Sequence, residues 1–240
     1  MSGRTARPAL GRVDLFRLLV ALLLLVSAGC AALPSGQGGA SGGARDGAAV
    51  DRESRAGARS GSAASDALAR ARHVFPVRGR TSFSRFHHDY PAADIFAACG
   101  THVVAPTSGV ILEISRHDRW RPSVDSGATR GGKFVSLRGV DHVRYYGSHL
   151  RAVGTRIHAG LHVKAGDRLG RVGQTGNARG VGCHLHFGLS PVCAGTGDWW
   201  VRRGEVHPFR FLRAWQHHRN RSPRHAVRHW HARHGCPPRP

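Results

Sequence analysis

Chemistry in this chain gathers where histidine meets carboxylate or a second histidine at strand spacing. Eighteen histidines among 240 residues make a lone one uninformative, so the neighbours decide. In Gly182-Cys183-His184-Leu185-His186-Phe187-Gly188-Leu189, strand alternation sends His184 and His186 to one face and Leu185, Phe187 and Leu189 to the other. Two imidazoles then stand side by side on an accessible surface, over an apolar face that can lie on a core. Gly173-Gln174-Thr175-Gly176-Asn177 leads into this strand. A second cluster is Phe86-His87-His88-Asp89-Tyr90-Pro91-Ala92-Ala93-Asp94-Ile95, and a third is Tyr145-Tyr146-Gly147-Ser148-His149-Leu150. Imidazole and carboxylate are the side chains that hold zinc, and imidazole is the group that moves protons near neutral pH.

The helix-borne His-Glu-x-x-His pattern of many metalloproteases is absent. Acidic residues are few, 14 in all, and only Asp89 and Asp94 sit in a histidine block. Histidine is therefore the natural proton carrier of any site built here.

The elements that must position these residues are short. From His73 onward, apolar runs of strand length alternate with Gly, Pro and Asp: 101–105, 109–114, 133–137, 143–146, 168–172 and 184–189. This pattern predicts a mainly β domain with no long amphipathic helix. An internal echo, Gly100-Thr101-His102-Val103-Val104-Ala105 and Gly160-Leu161-His162-Val163-Lys164-Ala165, each followed by a glycine-led strand, suggests two related hairpins facing each other. The expected architecture is an antiparallel β sandwich or half-barrel of paired hairpins, with the site in an open groove.

Taken in order, the histidine–aspartate block, Gly-Thr-x-Val-x-Ala, Tyr-Gly-Ser-His-Leu, Gly-x-Thr-Gly and His-Leu-His-Phe resemble the M23 (LytM/lysostaphin-type) zinc metallopeptidases over about residues 86–190. The resemblance implies one zinc ion held by His88, Asp94 and His186, with a fourth position left for water, as in catalytic rather than structural sites. It implies that His149 and His184 orient the water and stabilise the tetrahedral oxyanion, without saying which is the base. The usual first block has its two ligands four apart. Here His88 and Asp94 are six apart with Pro91 between them, which leaves His87 as an alternative ligand. Tyr145 and Asn177 are candidate substrate contacts, and Trp199 and Trp200 either line a cleft or cap the core. Similar proteins cut peptide bonds in bacterial cell-wall peptidoglycan. The rival expectation is a non-catalytic domain of the same fold that binds the wall or regulates a separate hydrolase, and such domains typically lack a metal ligand.

The remaining sequence bears on location. Arg4, Arg7 and Arg12 precede an apolar run from Leu18 to Val26 that ends at Ser27-Ala28-Gly29-Cys30. That is the form of an export signal, expected over residues 1–30. Cys30 after Ala-Gly resembles a bacterial lipobox, so the mature chain is either lipid-anchored at the extracytoplasmic membrane face or secreted to the wall. Residues 31–72, rich in Gly, Ala, Ser and Arg, read as a disordered linker, 73–213 as the domain, and the His- and Arg-rich 214–240 as a disordered tail. The net charge of +22 comes almost wholly from arginine, since Lys133 and Lys164 are the only lysines. Export argues against nucleic acid as a partner and makes anionic wall polymers a fitting one. It also provides an oxidising setting, in which Cys183 and Cys193 are expected to bridge and tie the ends of the histidine strand.

Overall fold

The computed structural model describes residues 71–240. The export signal, Cys30 and all but the end of the linker lie outside the described residues. Ten strands run in chain order: β1 (Ser82–Phe83), β2 (Ala92–Phe96), β3 (His102–Val104), β4 (Gly109–Ser115), β5 (Phe134–Gly139), β6 (Arg144–Ser148), β7 (Ala152–Val153), β8 (His162–Val163), β9 (Arg168–Arg171) and β10 (His184–Ser190). Three helices close the chain: α1 (Trp199–Arg202), α2 (Phe209–Gln216) and α3 (Arg224–His234). Seven strands form one sheet, ordered β1-β2-β10-β6-β5-β4-β8, and β3-β9-β7 form a second. Every pairing is antiparallel. All six strand-length runs of the sequence therefore become strands, and the domain is mainly β.

Alternation explains the core. Leu185, Phe187 and Leu189 of β10 are buried with Ile95 of β2, Leu137 of β5 and Tyr145 of β6. The opposite face of β10 is not the accessible surface its histidines suggest. All seven of its residues are buried, because loop and helix cover that face too.

The echoing segments do not close on themselves as hairpins. β3 pairs with β9, and β4 pairs with β8, so each copy places one strand in each sheet. Their turns bind each other: the Ala105 N–H donates to the Asp167 carbonyl at 2.8 Å and the Gly166 N–H to the Ala105 carbonyl at 2.9 Å. A turn that passes from sheet to sheet cannot also pair its two flanking strands.

The C-terminal region is ordered, in place of the expected disordered tail. Trp215 of α2 and Val227 of α3 belong to the core. Asn220 and Ser222 join a polar network with His73 and Asp141, in which Asn220 Oδ1 accepts from the His73 backbone N–H at 2.9 Å and Ser222 Oγ donates to Asp141 Oδ2 at 2.8 Å. The disulfides also differ from expectation. Cys99 bridges Cys183, and Cys193 bridges Cys236, so Cys183 and Cys193 do not pair with each other. The first bridge fastens the start of β10 to the end of β2, and the second ties the chain end back to the loop after β10. The domain thus runs on to Cys236. Among the described residues, no helix is long and apolar enough to cross a membrane.

Candidate active site

Strand register assembles the site. In the β2–β10 ladder Asp94 lies directly opposite His186, and in the β6–β10 ladder Ser148 lies opposite His186 from the other side. Directly opposed residues bring their side chains together on one face. His184, two residues back on β10, shares that face and lies opposite Phe96. The next residue after β6 is His149, whose φ of 63° is left-handed, a conformation that costs a non-glycine residue of order 1–3 kcal/mol. That turn brings its imidazole beside the others, with ring centroids 5.0 Å from His184 and 5.9 Å from His186.

Hydrogen bonds fix which nitrogen faces the cleft. A carbonyl oxygen only accepts, so the ring nitrogen against it carries the proton. His186 Nε2 donates to the Arg203 carbonyl at 2.9 Å, and in the neutral ring Nδ1 is then a bare lone pair. That lone pair lies 3.0 Å from Asp94 Oδ1, itself an acceptor. Two acceptors this close share either a proton or a metal cation. His87 completes the set, with Nε2 3.7 Å from Asp94 Oδ2 and a buried Nδ1 that has no partner. His87, Asp94 and His186 offer ligand atoms all within 4.8 Å of one another and could hold one metal ion. The donor set, two imidazoles and a carboxylate, fits zinc.

His88 was the expected ligand, yet it is exposed and His87 occupies that place. Both histidines line the cleft. The Asp89-Tyr90-Pro91 bend separates them from β2, and the ring of His87 lies over those of Tyr90 and His186, at 4.6 and 5.0 Å.

His149 and His184 share a second arrangement. Nδ1 of each donates at 2.8 Å to a backbone carbonyl, of Thr175 and of Gly182 respectively, leaving both Nε2 atoms as lone pairs. His184 Nε2 is 4.0 Å from Asp94 Oδ1. Burial, reinforced by His186 and His184, pushes His149 down to about 3, so it is neutral near pH 7. Burial likewise pushes His87 down to about 4. Burial raises the Asp94 carboxyl, but the hydrogen bond and charge that the His186 ring supplies when protonated, reinforced by the neighbouring imidazoles when protonated, outweigh this and hold it at about 2. Neutral His87 and His149 beside an ionised Asp94 are in the protonation state that binds a cation.

These groups open into a cleft of about 520 Å³. Asn177 lines it, as expected of a substrate contact. Tyr145 does not. It is buried in the core, its hydroxyl donating to Asp141 Oδ2 at 2.7 Å, and its neighbour Tyr146 faces the cleft instead. Trp199 lines the cleft, whereas Trp200 donates its indole N–H to the Pro237 carbonyl. Sequence reading missed Tyr90, Arg130, Arg202 and Arg203, which also line it. No motif marks them, because they come from two separate loops and from the end of a four-residue helix.

Residues 88–196 match the model of Peptidase family M23. Over that stretch the chain is similar to peptidase family M23. The match begins at His88, one residue past the imidazole that meets Asp94. The L-Ala–D-Glu endopeptidase of Bacillus subtilis (strain 168) is 27% identical over 163 residues, which cover 60% of this chain and 44% of that protein. The chain thus spans less than half the length of this relative. Among solved structures, the catalytic domain of the antimicrobial peptidase lysostaphin from Staphylococcus simulans is 23% identical, with a TM-score of 0.40, over 56% of this chain and 90% of that one. A zinc-containing peptidase from Vibrio cholerae is 20% identical, with a TM-score of 0.40, over 57% and 39%.

Proposed function

We propose that this M23-like domain is an exported zinc endopeptidase that hydrolyses peptide bonds in bacterial cell-wall peptidoglycan. The observation that carries the reading is the pair of facing acceptors, His186 Nδ1 and Asp94 Oδ1 at 3.0 Å, beside His87 and within reach of two further imidazoles with free Nε2 atoms. The B. subtilis relative, named for cutting a peptide bond between alanine and D-glutamate, supports a wall peptide as substrate. The amino-terminal signal, with Cys30 as a candidate lipid anchor, and the charge of +22 suit a protein that works among anionic wall polymers.

His87, Asp94 and His186 would hold the zinc ion, which lowers the pKa of water toward ~7 and polarises a carbonyl. The chain's own groups do the rest. His149 and His184, each with its Nδ1 proton engaged by a carbonyl, turn Nε2 toward the cleft. A neutral Nε2 takes the proton of the attacking water, and the N–H so formed returns it to the leaving amine nitrogen. The second imidazole, taking a proton from solvent as negative charge develops, donates a hydrogen bond to the oxyanion. Asn177 and Tyr146 on the cleft wall are suited to binding the substrate backbone. A non-catalytic role gains no support from a cleft in which every ligand and proton carrier is present.

The test is zinc content and turnover in the same preparations. His87→Ala and His186→Ala should each lose both. His88→Ala should keep the metal. His149→Ala should keep the metal while turnover falls by about 10²-fold or more. A His87→Ala protein that retains one zinc would overturn the ligand set, and a His149→Ala protein that cuts normally would overturn the role given to that residue.

A further inference from the structure

Three arginines line the cleft, and two of them are already neutralised. Arg202 donates to both oxygens of Glu113, at 2.8 and 2.7 Å, while its guanidinium lies 4.1 Å from the Phe134 ring centroid. Arg130 pairs with Asp125. Arg203 is different. Its side chain makes no hydrogen bond or ion pair among the described residues, and its Nε is buried without a partner. The guanidinium lies over aromatic faces, 4.2 Å from the Tyr90 centroid and 5.6 Å from that of Trp199. Its backbone carbonyl is the acceptor for His186 Nε2, so this residue stands next to the proposed zinc centre. The closest carboxyl in sequence, Glu205, makes no ion pair with it, and burial pushes that carboxyl up to about 7.

A buried donor without an acceptor costs free energy, and Arg203, which lines the cleft, has no protein acceptor for any of its side-chain donors among the described residues. Its planar fork matches one partner best, a carboxylate bound through two parallel N–H···O bonds. We infer that Arg203 is a carboxylate-binding subsite of this cleft, recognising a free carboxylate on the peptide close to the bond that is cut. This deepens the endopeptidase reading and rests on it, since it makes the substrate an anionic peptide. Tyr90 and Trp199 hold the fork in plane. Arg202, held by Glu113, and Arg130, held by Asp125, shape the wall without taking the ligand's charge.

The experiment reads binding rather than cleavage. Two peptides, L-Ala-γ-D-Glu-L-Lys and the same peptide with its glutamate α-carboxyl converted to the amide, are titrated into the zinc-loaded full chain by calorimetry. The chain carries His149→Ala, a background common to all arms. The carboxylate peptide should bind about tenfold tighter or more, as a charge-assisted fork warrants. Adding Arg203→Gln should erase the preference by weakening the carboxylate peptide alone. Arg203→Lys, which keeps the charge without the fork, should restore part of it. Equal affinities in the parent chain, no binding of either peptide, or a preference that survives Arg203→Gln would each overturn the inference. The parent comparison needs no Arg203 variant, so a misfolded variant does not shield it. Hydrolysis by the chain with His149 intact is followed separately. Cleavage without carboxylate preference sinks this inference alone, whereas preference without cleavage of any wall peptide sinks the endopeptidase reading.

Discussion

At His186 the Arg203 carbonyl accepts a hydrogen bond from Nε2–H, and in the neutral ring Nδ1 is left to face Asp94 as an acceptor. His149 and His184 are held the other way round, by Nδ1, so their free nitrogens are Nε2. Strand spacing singled out His184 and His186 in the sequence, and the resemblance to a known family added His149 and Asp94. The choice between His87 and His88 was not legible. It depends on how the Asp89-Tyr90-Pro91 bend turns two adjacent rings, and no period governs a bend. Arg203 was equally hidden, because one arginine among so many carries no signal. A pH effect also belongs at this scale. Burial raises Glu205 from 4.5 to about 7, opposed by Arg203 and His234. Between those values the folded chain keeps a proton that the unfolded chain releases. The stability this contributes is therefore present below about pH 4.5 and lost as pH rises through about 7. Glu205→Gln should leave the urea midpoint unchanged at pH 4 and raise it above that of the parent at pH 8.

At the scale of elements, β10 is the strand on which the site depends, and its glycine matters as much as its histidines. Gly188 lies two residues beyond His186 on the same face, and a Cβ there would run into the Arg203 carbonyl oxygen. Gly188→Ala should therefore push away the acceptor that orients His186 while leaving every ligand in place. Loss of such a supporting hydrogen bond typically costs 10–100-fold in metal affinity, which competition with a chelator would measure. Unchanged affinity would show that the carbonyl does not set the ring. The Cys99–Cys183 bridge, closing 84 residues of sequence, secures the other end of the same strand and stabilises the fold by about 4.5 kcal/mol on loop entropy. Strand positions followed from alternation and turn residues. Partners did not, since the echoing segments exchange strands between sheets through turns whose hydrogen bonds are long-range.

For the whole molecule, the C-terminal region is the main departure from composition-based reading. Histidine and arginine dominate 217–240, but Val227, Cys236 and the polar pair Asn220 and Ser222 are enough to dock it. Sparse anchors vanish in a composition average. Ending the chain at Gln216 should uncover Trp215 and strip the His73–Asp141 network of two partners, lowering the thermal midpoint by about 6–12 °C on the ~3 kcal/mol scale of a large core defect. An unchanged midpoint would mean that the tail only rests on the domain. The central claim, cleavage of wall peptide by this centre, is tested most directly by mass spectrometry of the fragments released when the zinc-loaded chain meets purified peptidoglycan. New peptide termini, absent with Asp94→Ala, are the predicted result. Wall peptides left intact by a protein that holds its zinc would contradict the account.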